Sequence, residues 1–387
     1  MEEPDLEKLP DWVKSLGLPA EATAAIDRYW KPVWETLQDE LKLLPTHARR
    51  PPATPPPAGA EQLEFEAVEE LSPGPKWQAR FEAMWPAYRA WYLKDGGSDR
   101  PDLATCRRAL TRHMPELVPA YERLVELAGG DELAARLLSL YRPPGFVVGC
   151  SQGAWTRDAP VLARNYDYPV SRLEGIVYLT EWSGRRVLGM SDCLWGLLDG
   201  INDAGLAVSL TFGGRRDVGD GFGIPLVVRY LLEVCADVAE ARDALAQIPV
   251  HAAQNLTLLD RSGAFLTAYV GPGRAPEFRA VAATTNHQGK VEWPEYARAI
   301  RTVEREQRVL ELLDDPTLTR DRFVEAFLEP PLRNTEYVQG FGTIYTAAYY
   351  PADGRAEYRW PDFTWEQSLH RFEETRHTET FAELRPS

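Results

Sequence analysis

The sequence has few of the residues that form disulfide frameworks or metal sites. Its 387 residues include only four cysteines and six histidines. The cysteines lie at positions 106, 150, 193 and 235 with no CxxC pair, so neither a disulfide framework nor a cysteine-based zinc site is expected. The histidines are scattered without metal-ligand spacing, which predicts that the protein binds no metal.

Long apolar runs and positive charge are also lacking. No segment approaches the roughly 20 apolar residues of a membrane helix, so we expect no membrane partner. The net charge is −15, and no basic patch is evident that would pair with the phosphates of a nucleic acid. The first residues, MEEPD, are acidic and unlike a secretory signal. We therefore expect a cytoplasmic protein whose thiols are reduced.

Proline marks the organisation of the first part of the chain. Apolar residues recur at helical spacing over residues 20–44, and the proline-rich segment 50–60 then predicts an extended linker. From residue 74 to residue 141 the helical spacing returns, until Arg142-Pro143-Pro144-Gly145 interrupts it. These patterns predict a helical leader over residues 1–144 and a catalytic domain over residues 145–387.

After residue 145 the pattern changes to short β runs with helices inserted in groups. Many antiparallel strands arranged in this way indicate an α+β fold. Strands are predicted at 146–150, 161–164, 176–182, 186–190, 206–211, 255–260, 264–270, 279–284, 343–350 and 356–360. Helices are predicted at 225–234, 238–246, 296–313 and 322–328.

Several residues of this second part predict an acyl-transfer site. Cys150 ends a short apolar run, and a second run delivers Arg164 and Asp167, so two neighbouring strands would carry all three side chains to one sheet edge. A thiol acts as a nucleophile in its thiolate form, which a nearby base or cation favours. Asn202 and Asn286 each lie where a β run meets a turn, and their amides could donate hydrogen bonds to a developing oxyanion.

The order of these motifs resembles the N-terminal-nucleophile (Ntn) hydrolases. More narrowly, it resembles peptidase family C45, the acyl-coenzyme A:6-aminopenicillanic acid acyltransferase-like enzymes, which are related to the choloylglycine hydrolases. The resemblance spans about residues 145–360 and leaves the first 140 or so without a matching motif. The motifs are Gly149-Cys150-Ser151, Arg164-Asn165-Tyr166-Asp167, Asn202-Asp203-Ala204-Gly205-Leu206 and Thr285-Asn286-His287.

The resemblance implies a four-layer αββα sandwich and a precursor that cleaves itself at the Gly149–Cys150 bond. The mature chain would start at Cys150, which is then the nucleophile, and its freed α-amino group would act as the base. Asp167 would hold this amine, and Arg164 would flank the thiolate. Asn286 and Asn202 would bind the oxyanion and the amine.

The resemblance also implies a class of reaction. The enzyme would act on linear, non-peptide C–N amide bonds through a Cys150 thioester, as a hydrolase or an N-acyltransferase, with a small-molecule amide or acyl donor as its substrate. No cofactor is expected, although acyl-coenzyme A as a co-substrate is compatible with the sequence. The two processed chains would be partners of each other, and a homo-oligomer is also compatible. Thr302 and Arg305 match the family's Ser-x-x-Arg helix loosely.

Other interpretations stay open on the sequence. Cys150 could be a buried small hydrophobe, as a lone cysteine at the end of an apolar run often is. His287 could form a Cys–His dyad in an amidohydrolase that never cleaves itself, or the fold could serve a catalytically inactive binding protein. The glycine-rich loop 213–223 is predicted to be mobile and to act as a substrate lid. Three further carboxylates are interpreted as turn residues: Asp199, Asp203 and Asp220.

Overall fold

The computed structural model describes residues 60–94, 100–145, 147–337 and 342–382. The helix predicted before residue 44 and nearly all of the proline-rich linker lie outside these residues. The described part contains two β-sheets packed face to face, with helices on both outer faces. The predicted α+β fold, a four-layer αββα sandwich, is therefore confirmed.

The described part of the chain contains the following strands and helices. The strands are β1 (Glu61–Glu69), β2 (Gly149–Trp155), β3 (Val161–Asp167), β4 (Ile176–Thr180), β5 (Val187–Asp192), β6 (Gly196–Asn202), β7 (Leu206–Phe212), β8 (Gln254–Asp260), β9 (Phe265–Val270), β10 (Glu277–Arg279), β11 (Ala283–Thr284), β12 (Thr343–Tyr350), β13 (Arg355–Trp360), β14 (Phe363–Ser368) and β15 (Arg376–Phe381). The helices are α1 (Pro75–Leu93), α2 (Leu103–His113), α3 (Val118–Leu127), α4 (Glu132–Leu138), α5 (Ile224–Val234), α6 (Val238–Leu245), α7 (Pro294–Ala299), α8 (Thr302–Asp314) and α9 (Arg320–Glu325).

The two sheets differ in size and are almost entirely antiparallel. The larger has nine strands in the order β10-β9-β8-β7-β6-β5-β4-β1-β15, and the smaller has six in the order β11-β2-β3-β12-β13-β14. Strands β2, β3 and β12 of the smaller sheet contact β6, β7 and β8 of the larger. Helices α5 and α6 lie against the larger sheet, and α8 lies against β2 and β11 of the smaller. None of the helices in the described ranges is both long enough and apolar enough to span a membrane.

Strand β1 belongs to the predicted helical leader and was not predicted from the sequence. It lies inside the nine-stranded sheet, parallel to β4 on one side and antiparallel to β15 on the other. Leu63, Phe65 and Ala67 are buried at every second position, which is the side-chain period of a strand. The Phe65 ring lies 4.8 Å from the ring of Trp360. The leader is otherwise mainly helical where it is described, and it shares one hydrophobic core with the rest of the chain.

The leader helices also fix the turn between β5 and β6. Trp77 Nε1 donates a hydrogen bond to the carbonyl of Leu194 at 2.9 Å, and the backbone N–H of Cys193 donates to the Tyr88 hydroxyl at 3.0 Å. Cys193 and Leu194 have φ values of 56° and 72°, a left-handed conformation that is unfavourable for residues other than glycine. Such a turn persists where surrounding contacts determine it, so the helices before residue 145 contribute to the shape of the turn between β5 and β6.

The register of β2 and β3 decides which side chains face which layer. Gly149 lies opposite Asp167, and Cys150 lies opposite Tyr166. Because side chains alternate along a strand, Cys150 and Arg164 face the nine-stranded sheet, whereas Asp167 faces helix α8. The helix predicted over 296–313 is in fact two helices, α7 and α8, because Arg301 between them has a left-handed φ of 50°.

Candidate active site

Cys150 lies between the two sheets and is fully buried. Its Sγ accepts a hydrogen bond from Arg164 Nη2 at 3.2 Å. Burial raises the pKa of the Cys150 thiol to about 11, although the positive charge of Arg164 acts in the opposite direction. The Cys150 thiol is therefore protonated at neutral pH, and the guanidinium beside it favours the thiolate whenever the proton leaves.

Arg164 is held against the thiol by Asp199 of the opposite sheet. Asp199 accepts hydrogen bonds from Arg164 Nη1, from the Tyr345 hydroxyl at 2.6 Å and from the Tyr349 hydroxyl. All four side chains are fully buried, so the carboxylate compensates a guanidinium that water does not reach. The interpretation of Asp199 as a turn residue is corrected here, because it lies inside strand β6.

Polar side chains from two other elements hold the backbone of Cys150 on both sides of its α-carbon. The backbone N–H of Cys150 donates to Asn286 Oδ1 at 2.9 Å. The carbonyl of Cys150 accepts a hydrogen bond from Arg305 Nη1 at 2.6 Å. The groups on both sides of the Cys150 α-carbon are therefore fixed before any cleavage.

Arg305 on helix α8 has a more central place than the loose motif match indicated. Its Nη2 donates to Asn286 Oδ1 at 2.9 Å, and its Nη1 lies 2.8 Å from Ser151 Oγ and 3.4 Å from Asp167 Oδ2. Its Nε donates to the carbonyl of Ile300 at 2.8 Å, which fixes the plane of the guanidinium. Arg305 thus connects the backbone of Cys150 with the two predicted polar residues Asn286 and Asp167.

Asp167 lies beside the residue that precedes the nucleophile. A Cβ atom added to Gly149 would lie 3.0 Å from Asp167 Cβ and 3.3 Å from its Oδ2. Asp167 Oδ1 accepts a hydrogen bond from Thr343 Oγ1 at 2.7 Å. Burial raises the pKa of the Asp167 carboxyl, while Arg305 and the Thr343 hydrogen bond oppose this shift. The structure therefore brings this carboxyl group next to the predicted cleavage site.

Asn286 follows β11 and is held by its own neighbours. Its backbone N–H donates to Thr302 Oγ1 at 2.7 Å, so the threonine in the loose Ser-x-x-Arg match positions the asparagine. Gly214 has a φ of 70°, and a Cβ atom there would lie 2.4 Å from the carbonyl oxygen of Asn286. The loop 213–223 therefore packs directly on Asn286, while its role as a lid stays a prediction.

Asn202 is not brought to this site, which corrects its predicted position. Its Nδ2 donates to the carbonyls of Leu232 and Cys235 at 2.9 and 2.7 Å, and its Oδ1 accepts the backbone N–H of Leu206 at 2.9 Å. Asn202 is three positions from Asp199 along β6, so the two side chains point to opposite faces of the sheet. Asn202 satisfies backbone groups at the end of helix α5 on the outer face.

His287 lies near Asn286 but turns away from the thiol. Its Nε2 lies 3.1 Å from Glu306 Oε2, and its Nδ1 lies 3.2 Å from Thr302 Oγ1. Among the hydrogen bonds between described residues, none joins His287 to Cys150. The geometry therefore gives no support to a Cys–His dyad.

The chain is similar in sequence to a known protein family. The sequence model described as "Acyl-coenzyme A:6-aminopenicillanic acid acyl-transferase" matches residues 155–365, which is more than half of the chain. The matched region includes Arg164, Asp167, Asn286 and Arg305, and it begins just after Cys150. No curated protein matches the sequence.

Several solved structures are similar at low sequence identity. A conjugated bile acid hydrolase from Clostridium perfringens is 12% identical with a TM-score of 0.44, over 62% of this chain and 99% of that one. A penicillin V acylase from Agrobacterium tumefaciens is 14% identical with a TM-score of 0.42, over 57% and 87% of the two chains. The Caenorhabditis elegans ortholog of N-acylethanolamine-hydrolyzing acid amidase is 16% identical with a TM-score of 0.41, over 59% and 98%.

The family match covers the strands and helices that carry Arg164, Asp167, Asn286 and Arg305 around the buried thiol. The chain therefore belongs to the acyl-coenzyme A:6-aminopenicillanic acid acyl-transferase family and is an enzyme of the N-terminal-nucleophile hydrolase and acyltransferase type.

Proposed function

We propose that this protein is a self-processing cysteine Ntn enzyme, which cleaves its own Gly149–Cys150 bond and then acts on non-peptide C–N amide bonds through a Cys150 thioester. The observation that carries the proposal is the environment of this peptide bond. A buried thiol with a guanidinium at 3.2 Å lies at the first residue after it, and donors and acceptors hold the backbone of that residue.

Self-cleavage would proceed in two balanced steps. Cys150 Sγ attacks the carbonyl carbon of Gly149, the C–N bond breaks, and the nitrogen takes up the proton that the thiol releases. A thioester then joins Gly149 to Cys150 Sγ, and Cys150 has a free α-amine. Water hydrolyses the thioester, giving a Gly149 carboxylate and restoring the thiol. Arg164 stabilises the thiolate in the first step, and Arg305 and Asn286 keep the backbone of Cys150 in place.

The freed amine would then serve as the base for other substrates. An α-amine has an ordinary pKa near ~8, which suits proton transfer near neutral pH. It takes the thiol proton as Cys150 Sγ attacks the substrate carbonyl, and it returns the proton to the amine that leaves when the C–N bond breaks. Asn286 Oδ1 already accepts a hydrogen bond from this nitrogen, and Asp167 lies beside Gly149, so both can hold the amine.

The fate of the thioester would decide between the two reaction types. Attack by water releases a carboxylic acid, and attack by an amine transfers the acyl group to form a new amide. If acyl-coenzyme A is the donor, its C–S bond breaks in place of the C–N bond, and the chemistry at Cys150 is the same. These steps use groups of the chain itself together with the small-molecule amide or acyl donor.

The two processed chains would remain together after cleavage. Removing the leader would take β1 out of the nine-stranded sheet and leave unpaired edges on β4 and β15. Phe65 and the other buried side chains of β1 would lose their place in the shared core. The leader is therefore a structural subunit of the proposed mature enzyme.

Trapping the acyl-enzyme tests this proposal. Purified protein is mixed with a short acyl thioester, quenched in acid and measured by mass spectrometry, with peptide mapping of the modified residue. We expect one added acyl group, located on Cys150, and none in a Cys150→Ala variant. A Cys235→Ala variant is the matched control, since Cys235 is also buried, and it should still be acylated. Modification of other cysteines, or of none, would contradict the proposed function.

A further inference from the structure

The segment just before Cys150 occupies two hydrogen-bond donors, the Tyr296 hydroxyl and the Asn286 amide. The carbonyl of Val148 accepts a hydrogen bond from the Tyr296 hydroxyl at 2.5 Å and another from Asn286 Nδ2 at 3.2 Å. Only the nitrogen and α-carbon of Gly149 separate this carbonyl from the one that Cys150 would attack. The two donors thus hold the Val148 carbonyl close in the chain to the carbon that Cys150 would attack.

The Tyr296 hydroxyl has a fixed direction. The side chain is fully buried on helix α7, its ring stacks on Trp293 at 4.9 Å between centroids, and it meets the edge of Phe212 at 5.5 Å. These contacts do not depend on Val148, so the hydroxyl keeps its position when Val148 and Gly149 leave. A substrate oxygen that lies where the Val148 carbonyl lies would accept the same hydrogen bond, and an analogue without that oxygen would not.

The α-carbon of Gly149, next to the reacting carbonyl, has little space for a side chain. A Cβ atom in the L configuration on Gly149 would lie 3.0 Å from Asp167 Cβ, which is tighter than most real Cβ contacts, so Asp167 would have to shift. Asp167 itself is held by Thr343 and Arg305, so it has little freedom to move away. The position before the nucleophile therefore accepts a methylene group and disfavours an L-branched carbon.

We propose that Tyr296, Asn286 and Asp167 form the acyl subsite of the mature enzyme, and that this subsite takes acyl groups of the N-acylglycyl class, R–CO–NH–CH2–CO–. Such a group has an unbranched carbon beside the reacting carbonyl and an acceptor carbonyl where that of Val148 lies. The inference rests on the proposed function, since the thiol must meet the substrate carbonyl where it meets that of Gly149. Tyr296 has no assigned role in the proposed chemistry and acts here as a specificity residue.

A series of three 4-nitroanilides tests the inference on the processed wild-type enzyme. The acyl groups are N-acetylglycyl, N-acetyl-L-alanyl and pentanoyl, the last having the same chain length as acetylglycyl without its acceptor carbonyl. We expect kcat/KM for acetylglycyl to exceed that for pentanoyl by about tenfold, because pentanoyl cannot accept the Tyr296 hydrogen bond. It should also exceed kcat/KM for acetylalanyl, whose methyl group would press on Asp167. Equal kcat/KM values with acylated Cys150 would overturn the inference alone. Failure of all three to acylate Cys150, by intact mass, would overturn the proposed function as well.

A tyrosine variant then assigns the preference to its donor. Tyr296→Phe should lower the acetylglycyl-to-pentanoyl ratio of kcat/KM to near one, while the acetylglycyl-to-acetylalanyl ratio, which depends on Asp167, persists. The matched control is Tyr178→Phe, because the buried Tyr178 hydroxyl has no hydrogen-bond partner among the described residues. A full acetylglycyl preference in Tyr296→Phe would overturn the role of Tyr296. If this variant processes too slowly to assay, the wild-type series still decides the substrate class.

Discussion

The buried ion pair behind the nucleophile gives a quantitative prediction. Asp199→Asn removes the charge that compensates Arg164 while keeping the shape of the side chain. Both partners are completely buried, and Asp199 joins the two sheets because Arg164 and Tyr345 belong to the opposite one. Removing one partner of a buried pair leaves an uncompensated charge and typically lowers the free energy of unfolding by about 3–5 kcal/mol.

The measurement is equilibrium unfolding in urea, followed by tryptophan fluorescence. All variants carry Cys150→Ala, so that reference and variant remain one chain and unfold in the same manner. We expect the Asp199→Asn midpoint to fall by about 1 M or more, given the large surface that a chain of this size exposes. The double variant Arg164→Met/Asp199→Asn should be more stable than Asp199→Asn alone, because it no longer buries an unpaired charge.

An exposed ion pair supplies the control for this prediction. Arg107 and Glu122 in the leader helices lie 2.8 Å apart with exposed fractions of 43% and 42%. Glu122→Gln should change the free energy of unfolding by less than about 1 kcal/mol, as is usual for surface pairs. An Asp199→Asn effect as small as that of Glu122→Gln, or a double variant less stable than the single one, would refute the reasoning.

Two further predictions concern cleavage and pH. Gly149→Val should leave a single uncut chain on intact-mass analysis, because its Cβ would lie only 3.0 Å from Asp167 Cβ and would force a shift beside the scissile bond. Gly145→Ala, whose added methyl meets its nearest neighbour at 3.7 Å, should still be cut. Burial and the neighbouring Glu174 raise the pKa of Asp192 to about 8, whereas its pKa in the unfolded chain is about 3.9. The folded state therefore binds the proton more tightly. The resulting stabilisation is complete below about pH 4 and is lost as the pH rises to about 8. Between these pH values, Asp192 should lower the free energy of unfolding by up to about 1.4 kcal/mol per pH unit. Asp192→Asn should remove that part of the pH dependence of stability. An unchanged pH dependence in this variant would contradict the assignment.

Much of the fold could be predicted because the second half alternates short apolar runs with turns. The same method missed β1, although Leu63, Phe65 and Ala67 show strand periodicity, because glutamates separate them and the neighbouring helical pattern dominated. The pairing of β1 with β4 and β15 joins residues far apart in the chain, and such long-range pairing leaves no local signal. Its consequence, a leader strand built into the nine-stranded sheet, required the structure.

The site residues could be predicted where they belong to local motifs. The prediction failed where the strand register decides which face a side chain occupies. The structure brings Cys150, Arg164, Asp167 and Asn286 together as expected, and their catalytic roles remain proposals. Asn202 and Asp199 lie on one strand, and the pattern gave no means of telling which of them faces the other sheet. Asn202 was favoured because it lies where a β run meets a turn and belongs to a motif of the family. Asp199, three positions earlier on the strand, faces the other way and is the residue that lies beside Arg164.

Arg305 shows a different limit of the sequence. Its helix is separated from β2 by about 150 residues of chain, and a threonine stands at position 302 where the family motif has serine. Only the packing of α8 on β2 shows that its guanidinium reaches the backbone of Cys150. A contact of this kind depends on the tertiary arrangement of two elements and not on either pattern alone.

Self-cleavage at the Gly149–Cys150 bond is tested by the intact mass of the purified protein under denaturing conditions, measured beside a Cys150→Ala variant. Dividing 43.6 kDa in proportion to 149 and 238 of the 387 residues predicts fragments of about 17 and 27 kDa for the wild type, the larger starting at Cys150. The variant should give one chain of 43.6 kDa. A single uncut wild-type chain after long incubation would leave Cys150 without its α-amine and would contradict the proposed mechanism.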